Sequence, residues 1–343
     1  MRRRIRSALV AVVTTGVLAL TSCAGGGPSD VVGGESLGGD GSAGTLNLFA
    51  YAVPKPGFDL VIPAFDETDE GEGVAVVPSY GASGDQSRKV KDGAQADVVN
   101  FSVEPDVTRL VDAGLVEADW NQDAYGGVPF GSVVTLMVRD GNPKNIRDWN
   151  DLLRPDVDVV TPNPFSSGSA KWNLLAPYAA ASQGGRDPQA GLDYLESLVG
   201  HLTIQPKSGR EATESFLQGS GDVLISYENE ALFVEREGEP VEHVTPPVTF
   251  RVDNPVAVLT NSREPAKARA FRDFLYTPEA QRLWAQAGFR AVDPAVAREY
   301  AEDFPPPATL WTIDDLGGWE AVDDALFQAG SGSIARIYEN ATR

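Results

Sequence analysis

Thr161-Pro-Asn-Pro-Phe-Ser-Ser-Gly-Ser-Ala-Lys-Trp-Asn173 joins a β-branched run (Val157, Val159, Val160) to a helical pattern of Trp172, Leu174, Leu175, Tyr178 and Ala179. Prolines stop the strand, a Ser/Gly cluster makes the bend, and apolar residues at helical spacing mark a helix beyond it. The first turn of a helix holds backbone N–H groups without intrahelical acceptors and carries the positive end of the macrodipole. A small-residue loop at that point is therefore able to hold an anion. Ser166, Ser167 and Ser169 add hydroxyl donors, and Gly168 lets the backbone approach closely. The same residue types also make an ordinary N-cap, so one such loop alone does not distinguish the two.

The arrangement occurs twice more. Ser79-Tyr-Gly-Ala-Ser-Gly84 follows a strand predicted at Val74–Val77 and precedes a helix expected over Asp85–Asp92. Lys207-Ser-Gly-Arg-Glu-Ala-Thr213 follows a strand at Leu202–Gln205 and leads into a helix expected over Thr213–Gln218. Further strands are predicted at Leu46–Ala50, Ala96–Phe101, Gly131–Val138, from Asp222 onward, at Phe250–Val252 and at Val256–Leu259. Helices are expected over Phe58–Phe65, with a kink or restart at Pro63, and over Pro105–Ala113, Trp149–Leu153, Pro188–Val199 and Glu230–Glu237. Three more are expected at Pro265–Tyr276, Pro278–Ala287 and Pro294–Tyr300, and a last one at about Trp319–Phe327. This alternation predicts an α/β fold with mainly parallel sheets. In such sheets ligands lie beyond the carboxyl ends of strands, at helix starts, and all three Ser/Gly turns occupy that position.

A length of 343 residues suits two domains, and 42% hydrophobic content fills a core in each. With 28 Lys+Arg against 49 Asp+Glu, the chain lacks the positive surface that nucleic acid requires. Met1-Arg-Arg-Arg4 and Arg6 form a basic start, and Ala8–Leu20 an apolar stretch too short to span a membrane comfortably. Leu20-Thr-Ser-Cys23 then resembles a bacterial lipobox. Residues 1–22 are read as a lipoprotein signal peptide and 23–44 as a flexible tether poor in large apolar side chains. Cys23 is the sole cysteine, which excludes an intrachain disulfide and suits a lipid carrier. Loss of the leader's four arginines, with no acids, takes the formal charge from −21 to −25. An uncleaved leader would act as an anchor helix and leave the domain outside the cell all the same.

Enzymatic readings find little support. No G-x-S-x-G elbow, S-x-x-K motif or G-x-x-x-x-G-K-[ST] loop lies at the three Ser/Gly turns. The two histidines, His201 and His243, lie outside the Ser/Gly turns. No metal and no cofactor is expected. Burying a dianion costs many kcal/mol, and a charge-assisted hydrogen bond returns roughly 1.5–3 kcal/mol, so on the order of six or seven donors are needed. Three helix starts supply that number around Ser83, Gly84, Ser167, Gly168, Ser169 and Gly209. Tyr227, at a strand end, either adds a phenolic donor or packs its ring at a domain edge. Arg210 either approaches the anion or pairs with nearby Glu211 and Glu214.

Several segments, in order along the chain, resemble the sulfate/thiosulfate-binding proteins of ABC importers. They are Ser79–Gln86, Ala96–Val99, Arg139–Pro143, Thr161–Pro164 with Ser167–Asn173, Asp222–Ile225 with Glu228–Ala231, and Thr312–Leu316 with Gly317–Trp319. The resemblance implies a type II periplasmic-binding-protein fold, two α/β lobes with a ligand cleft and two hinge crossings. The lobes would be 45–130 plus 252–343, and 131–251. It further implies that backbone N–H groups, one serine hydroxyl and one indole hold the anion. Ser83 matches the first loop serine, Ser167, Gly168 and Ser169 the central Ser-Gly-Gly, and Gly209 a backbone donor, while Tyr227 stands where the family has tryptophan. The family's Tyr-Asp-Pro reads Tyr51-Ala-Val-Pro54 here, so the main chain of Ala52 or Val53 serves. Asp85 replaces a usual lysine and Glu211 a glycine. The function implied is an extracytoplasmic, monomeric lipoprotein on the outer face of the cytoplasmic membrane, passing sulfate or thiosulfate to an ABC permease. Molybdate, tungstate or phosphate in the same fold, and a surface serine hydrolase, are the alternatives.

Overall fold

The computed structural model describes residues 44–341. The expected signal peptide, Cys23 and all but the last residue of the expected tether lie outside the described residues. Among the described residues no helix is long and apolar enough to cross a membrane.

Strand β1 (Thr45–Tyr51) buries Leu46, Leu48 and Ala50 on one face, as a period of two requires. It pairs in parallel with β2 (Ala75–Gly81) and with β3 (Val98–Asn100). Helix α1 (Lys55–Asp66) begins before the predicted Phe58, because Pro54 caps it and Pro56 sits in the first turn, where a missing N–H is tolerated. Pro63 lies inside this helix without ending it. Helices α2 (Ser83–Lys91) and α3 (Glu104–Asp112) come after β2 and β3.

The long strand β4 (Phe130–Arg139) leads into a second sheet. A 3₁₀ turn at Trp149–Leu153 precedes β5 (Val159–Val160), α4 (Gly168–Ala181), α5 (Pro188–Val199), β6 (Leu202–Ile204) and α6 (Gly209–Leu217). Then come β7 (Val223–Tyr227), α7 (Glu228–Arg236), β8 (Val241–Val244) and β9 (Val248–Asn254). The chain returns through β10 (Val256–Val258), α8 (Pro265–Phe274), α9 (Pro278–Gln286), β11 (Arg290–Ala291) and α10 (Pro294–Glu299). It finishes with β12 (Thr309–Trp311), α11 (Gly318–Val322) running into a wider π turn at Asp323–Phe327, and α12 (Ser333–Ala341).

The smaller sheet has the order β10-β3-β1-β2, and the larger β12-β9-β4-β7-β5-β6, with β8 and β11 also paired to β4. The sheets are mixed rather than mainly parallel. β10 runs antiparallel to β3, and β7, β8, β9 and β11 all run antiparallel to β4. The reason is connectivity. β4 carries the chain out from the small sheet and β9 carries it back, and the two pair side by side over Phe130–Val133 and Arg251–Asn254.

Each sheet has a core on both faces. Phe58, Phe65, Phe130, Phe271 and Trp284 pack on one side of the smaller sheet, and Val99, Phe101, Val107 and Leu110 on the other. Trp172, Leu174, Tyr194 and Phe250 cover one side of the larger sheet, and Met137, Phe216 and Leu224 the other. Residues after Thr309, expected with the first lobe, join the larger sheet's core through Ile313, Trp319, Phe327, Ile334 and Tyr338. β12 pairs with β9, and Trp319 meets Trp172 edge-on with ring centroids 4.6 Å apart. α12 was not foreseen; its apolar residues Ile334, Ala335 and Tyr338 complete that core.

The smaller sheet's core turns on Trp284, which is fully buried with Phe130 and Phe58 centroids 4.0 and 5.0 Å away. Gly57 must be glycine because a Cβ there would lie 2.1 Å from the Trp284 ring. Trp284→Ala is expected to cost about 3–5 kcal/mol, read as a lower urea midpoint at unchanged slope.

Candidate oxyanion site

Helix α2 starts at Ser83 rather than Asp85, with Ala82 as its N-cap and no side chain closing its first turn. Buried Ser83 does not offer its hydroxyl to a ligand. Its Oγ donates to Asp106 Oδ2 at 2.6 Å and accepts from the Ser102 N–H at 3.0 Å. Asp106 also accepts from Arg109 Nη1 at 2.7 Å, which fixes the carboxylate. The Gly84 N–H donates to the Ser166 carbonyl at 3.2 Å, joining α2 to the loop before α4. The backbone N–H of Ser83 itself, in the first turn, has no intrahelical acceptor.

Helix α4 starts at Gly168. Ser167 is its N-cap in extended conformation, is buried, and makes no cap hydrogen bond. The ordinary N-cap role is thus not what this serine performs. A Cβ on Gly168 would stand 2.8 Å from Ser102 Cβ, so only glycine fits. Helix α6 starts at Gly209, earlier than the expected Thr213, because Ser208 caps it by accepting from the Glu211 N–H at 3.2 Å. A Cβ on Gly209 would stand 3.0 Å from Ser169 Oγ and 3.1 Å from Val53 Cγ2. Val53, next to half-buried Ala52, follows β1 at the same end of the smaller sheet. The starts of α2, α4 and α6 and the turn after β1 therefore meet.

Tyr227, almost fully buried, closes β7 and is the N-cap of α7. Its Oη lies 2.8 Å from Ser102 Oγ. Burial pushes the phenol well up from its ordinary value, and the nearby Ser102 and Ser169 hydroxyls oppose this. The phenol is neutral and keeps its proton. Ser102 is a site residue that the sequence reading missed. It contacts Ser83, Gly168 and Tyr227, and its carbonyl accepts from Trp172 Nε1 at 2.7 Å and Asn254 Nδ2 at 3.2 Å. It follows buried β3 at the same strand-to-helix position as the other turns, which was the available signal.

Charged side chains around the site are paired. Arg210 Nη2 lies 3.1 Å from Glu230 Oε2 and stacks over Phe233 at 4.7 Å, rather than pairing with Glu211. Burial raises the Glu230 carboxyl, opposed by Arg210 and Thr213. A neighbouring cleft of about 240 Å³, lined by Gly84, Ser166, Ser167 and Gly168, also presents Arg88, Arg109 and Lys171. These face Asp85, Asp106 and Asp323, respectively. Among the described residues no cluster of His, Cys, Asp and Glu is suited to a metal ion.

Two mixed α/β sheets joined by paired crossing strands, with helix starts meeting at one small polar site, define a type II periplasmic-binding-protein fold. The periplasmic thiamin binding protein shares that fold, with a TM-score of 0.64 at 17% identity over 80% of this chain and 92% of that one. The model of the family described as bacterial extracellular solute-binding protein matches residues 46–290. The sulfate-binding protein of Synechococcus elongatus is 37% identical over 96% of this chain and 94% of its own. The thiosulfate-binding protein of Pseudomonas aeruginosa is 33% identical, over 89% of this chain and 96% of its own. The solved structure of the sulfate-binding protein SubI from Mycobacterium tuberculosis H37Rv shares 64% identity with a TM-score of 0.82, covering 83% of this chain and 100% of that one. The chain belongs to the bacterial extracellular solute-binding proteins, and within them to the sulfate- and thiosulfate-binding proteins of ABC importers.

Proposed function

We propose that this protein captures sulfate or thiosulfate outside the cytoplasmic membrane and delivers it to an ABC permease, without chemical change to the anion. The observation that carries this reading is the meeting of the α2, α4 and α6 starts at Gly84, Gly168 and Gly209, where a Cβ would stand 3.0, 2.8 and 3.0 Å from the nearest facing atom. The donors assigned to the anion are the backbone N–H groups of Val53 or Ala52, Ser83, Gly168, Ser169 and Gly209. The Ser167 hydroxyl and the Tyr227 phenol complete the set. Gly84 has a different role, since its N–H already holds the Ser166 carbonyl and ties the two sides of the cleft together.

Amides at helix starts suit a dehydrated dianion because they are fixed in place and need no reorganisation when it arrives. Hydrolysis has less support. The Ser83 hydroxyl faces a carboxylate held by Arg109, while His243 pairs with Glu235 and His201 sits near the Val157 carbonyl. No histidine activates a serine at the site. The lobes are assigned to 45–130 plus 252–308, and to 131–251 plus 309–341, with closure about β4 and β9 on binding. Residues 1–22 are assigned as a signal peptide and Cys23 as the lipid-bearing residue that holds a monomer at the outer face of the membrane.

Calorimetry is expected to show tight sulfate binding that Gly168→Val weakens by about 100-fold or more, equivalent to ~3 kcal/mol, with the fold retained by circular dichroism. Unchanged affinity contradicts the site. In cells, Cys23→Ser is expected to release the protein from the membrane fraction. Retention there rules out the lipid anchor.

A further inference from the structure

Ser102 and Tyr227 bring two buried hydroxyls together where the helix starts meet, with Oγ and Oη 2.8 Å apart and either able to donate. The bond joins the turn after β3 to the end of β7, and so spans the two lobes as assigned above. Ser102 is held in place through its main chain. Its N–H donates to Ser83 Oγ at 3.0 Å, and its carbonyl accepts from Trp172 Nε1 at 2.7 Å and Asn254 Nδ2 at 3.2 Å. None of these bonds involves the Ser102 hydroxyl, whose hydrogen-bond partner among the described residues is Tyr227.

Proton counting fixes the direction of this bond once an anion is present. Each hydroxyl has a single proton and lone pairs that accept. If Tyr227 donates to Ser102, its only proton is spent, and the phenol turns a lone pair toward a ligand that itself offers only acceptors. If Ser102 donates to Tyr227, the phenol accepts on one side and keeps its proton for the anion on the other. Only the second order agrees with the donor role assigned to Tyr227. A hydroxyl that accepts a hydrogen bond is also polarised to donate a stronger one, and the low dielectric of a buried site enlarges that gain.

We propose that Ser102 is a positioning residue for the oxyanion, acting through Tyr227. Its hydroxyl donates to Tyr227 Oη, turns the phenolic proton toward the anion and strengthens that donor, without touching the anion itself. The inference rests on the proposed sulfate-binding role and on the assignment of Tyr227 as a donor. It is distinct from the part Ser102 plays by packing, where its Oγ stands 3.1 Å from the place a Gly168 Cβ would occupy. Packing against Gly168 does not depend on the Tyr227 hydroxyl, whereas the proposed role does.

A double-mutant cycle separates the two. Calorimetry gives the sulfate Kd of the unaltered protein, Ser102→Ala, Tyr227→Phe and the double variant. Each substitution removes one hydroxyl and leaves the main-chain bonds of Ser102 and the buried ring in place. Ser102→Ala is expected to raise Kd about 3- to 10-fold, the worth of one hydrogen bond, and Tyr227→Phe about 10- to 100-fold, the worth of one donor to a charged group. In the Tyr227→Phe background, Ser102→Ala is expected to change Kd by less than about twofold, because the group it acts through is gone. Should Tyr227→Phe fail to fold, Tyr227→Trp supplies the background, since an indole donates but accepts nothing from Ser102. Losses that multiply in the double variant overturn the inference, as does an unchanged Kd in Ser102→Ala, and both leave the transport reading standing. Absence of sulfate and thiosulfate binding to the unaltered protein overturns the transport reading and this inference with it.

Discussion

A small dianion is held best by donors that already point at it, and the site proposed here consists of such donors, brought together by the rest of the fold. The cations near the site do not fill that role, since Arg88, Arg109, Lys171 and Arg210 each face a carboxylate. There remains the partial positive charge of peptide N–H groups at helix starts, which acts within about one helical turn. That short range also reconciles anion capture with a formal charge of −21, because a distant surface charge is screened by salt while an adjacent amide is not.

Aiming three helices at one point is a matter of strand order and of glycine. In the larger sheet β7 lies beside β5, and β5 beside β6, all parallel, so the chain leaves each at the same edge. Helices α4, α6 and α7 therefore start side by side. Gly168 against Ser102 and Gly209 against Val53 let the α4 and α6 starts come close to the turns of the smaller sheet. Ser102 then acts as the joint. It touches the α2 start through Ser83, the α4 start through Gly168 and the β7 end through Tyr227.

Much of this was legible in the sequence where the signal is local. The strand–turn–helix reading of 161–173 needed only prolines, small residues and apolar spacing. The helices at Pro265, Pro278 and Pro294 announce themselves by proline in the first turn. The features that escaped depend on contacts distant in sequence. The true start of α2 is set by how Ser83 packs against Asp106 and Ser102, whereas that of α6 is a local Ser208 cap within the Lys207–Thr213 turn. The antiparallel β4–β9 pair arises from the return of β9, more than a hundred residues on. α12 is amphipathic but comes after a Gly/Ser stretch, and the α5 face and the π turn at Asp323–Phe327 give it a place to pack. The Ser83 hydroxyl looked like a donor because nothing in the sequence places Asp106 beside it.

Anomalous diffraction from crystals grown with selenate locates the anion without assumptions about its contacts. If amides do the holding, selenium will lie with its oxygens about 3 Å from the backbone nitrogens of Gly168, Ser169 and Gly209. Selenium found instead in the neighbouring cleft, against Arg88, Arg109 and Lys171, would show that side-chain charge captures the anion and that the gathered helix starts do not.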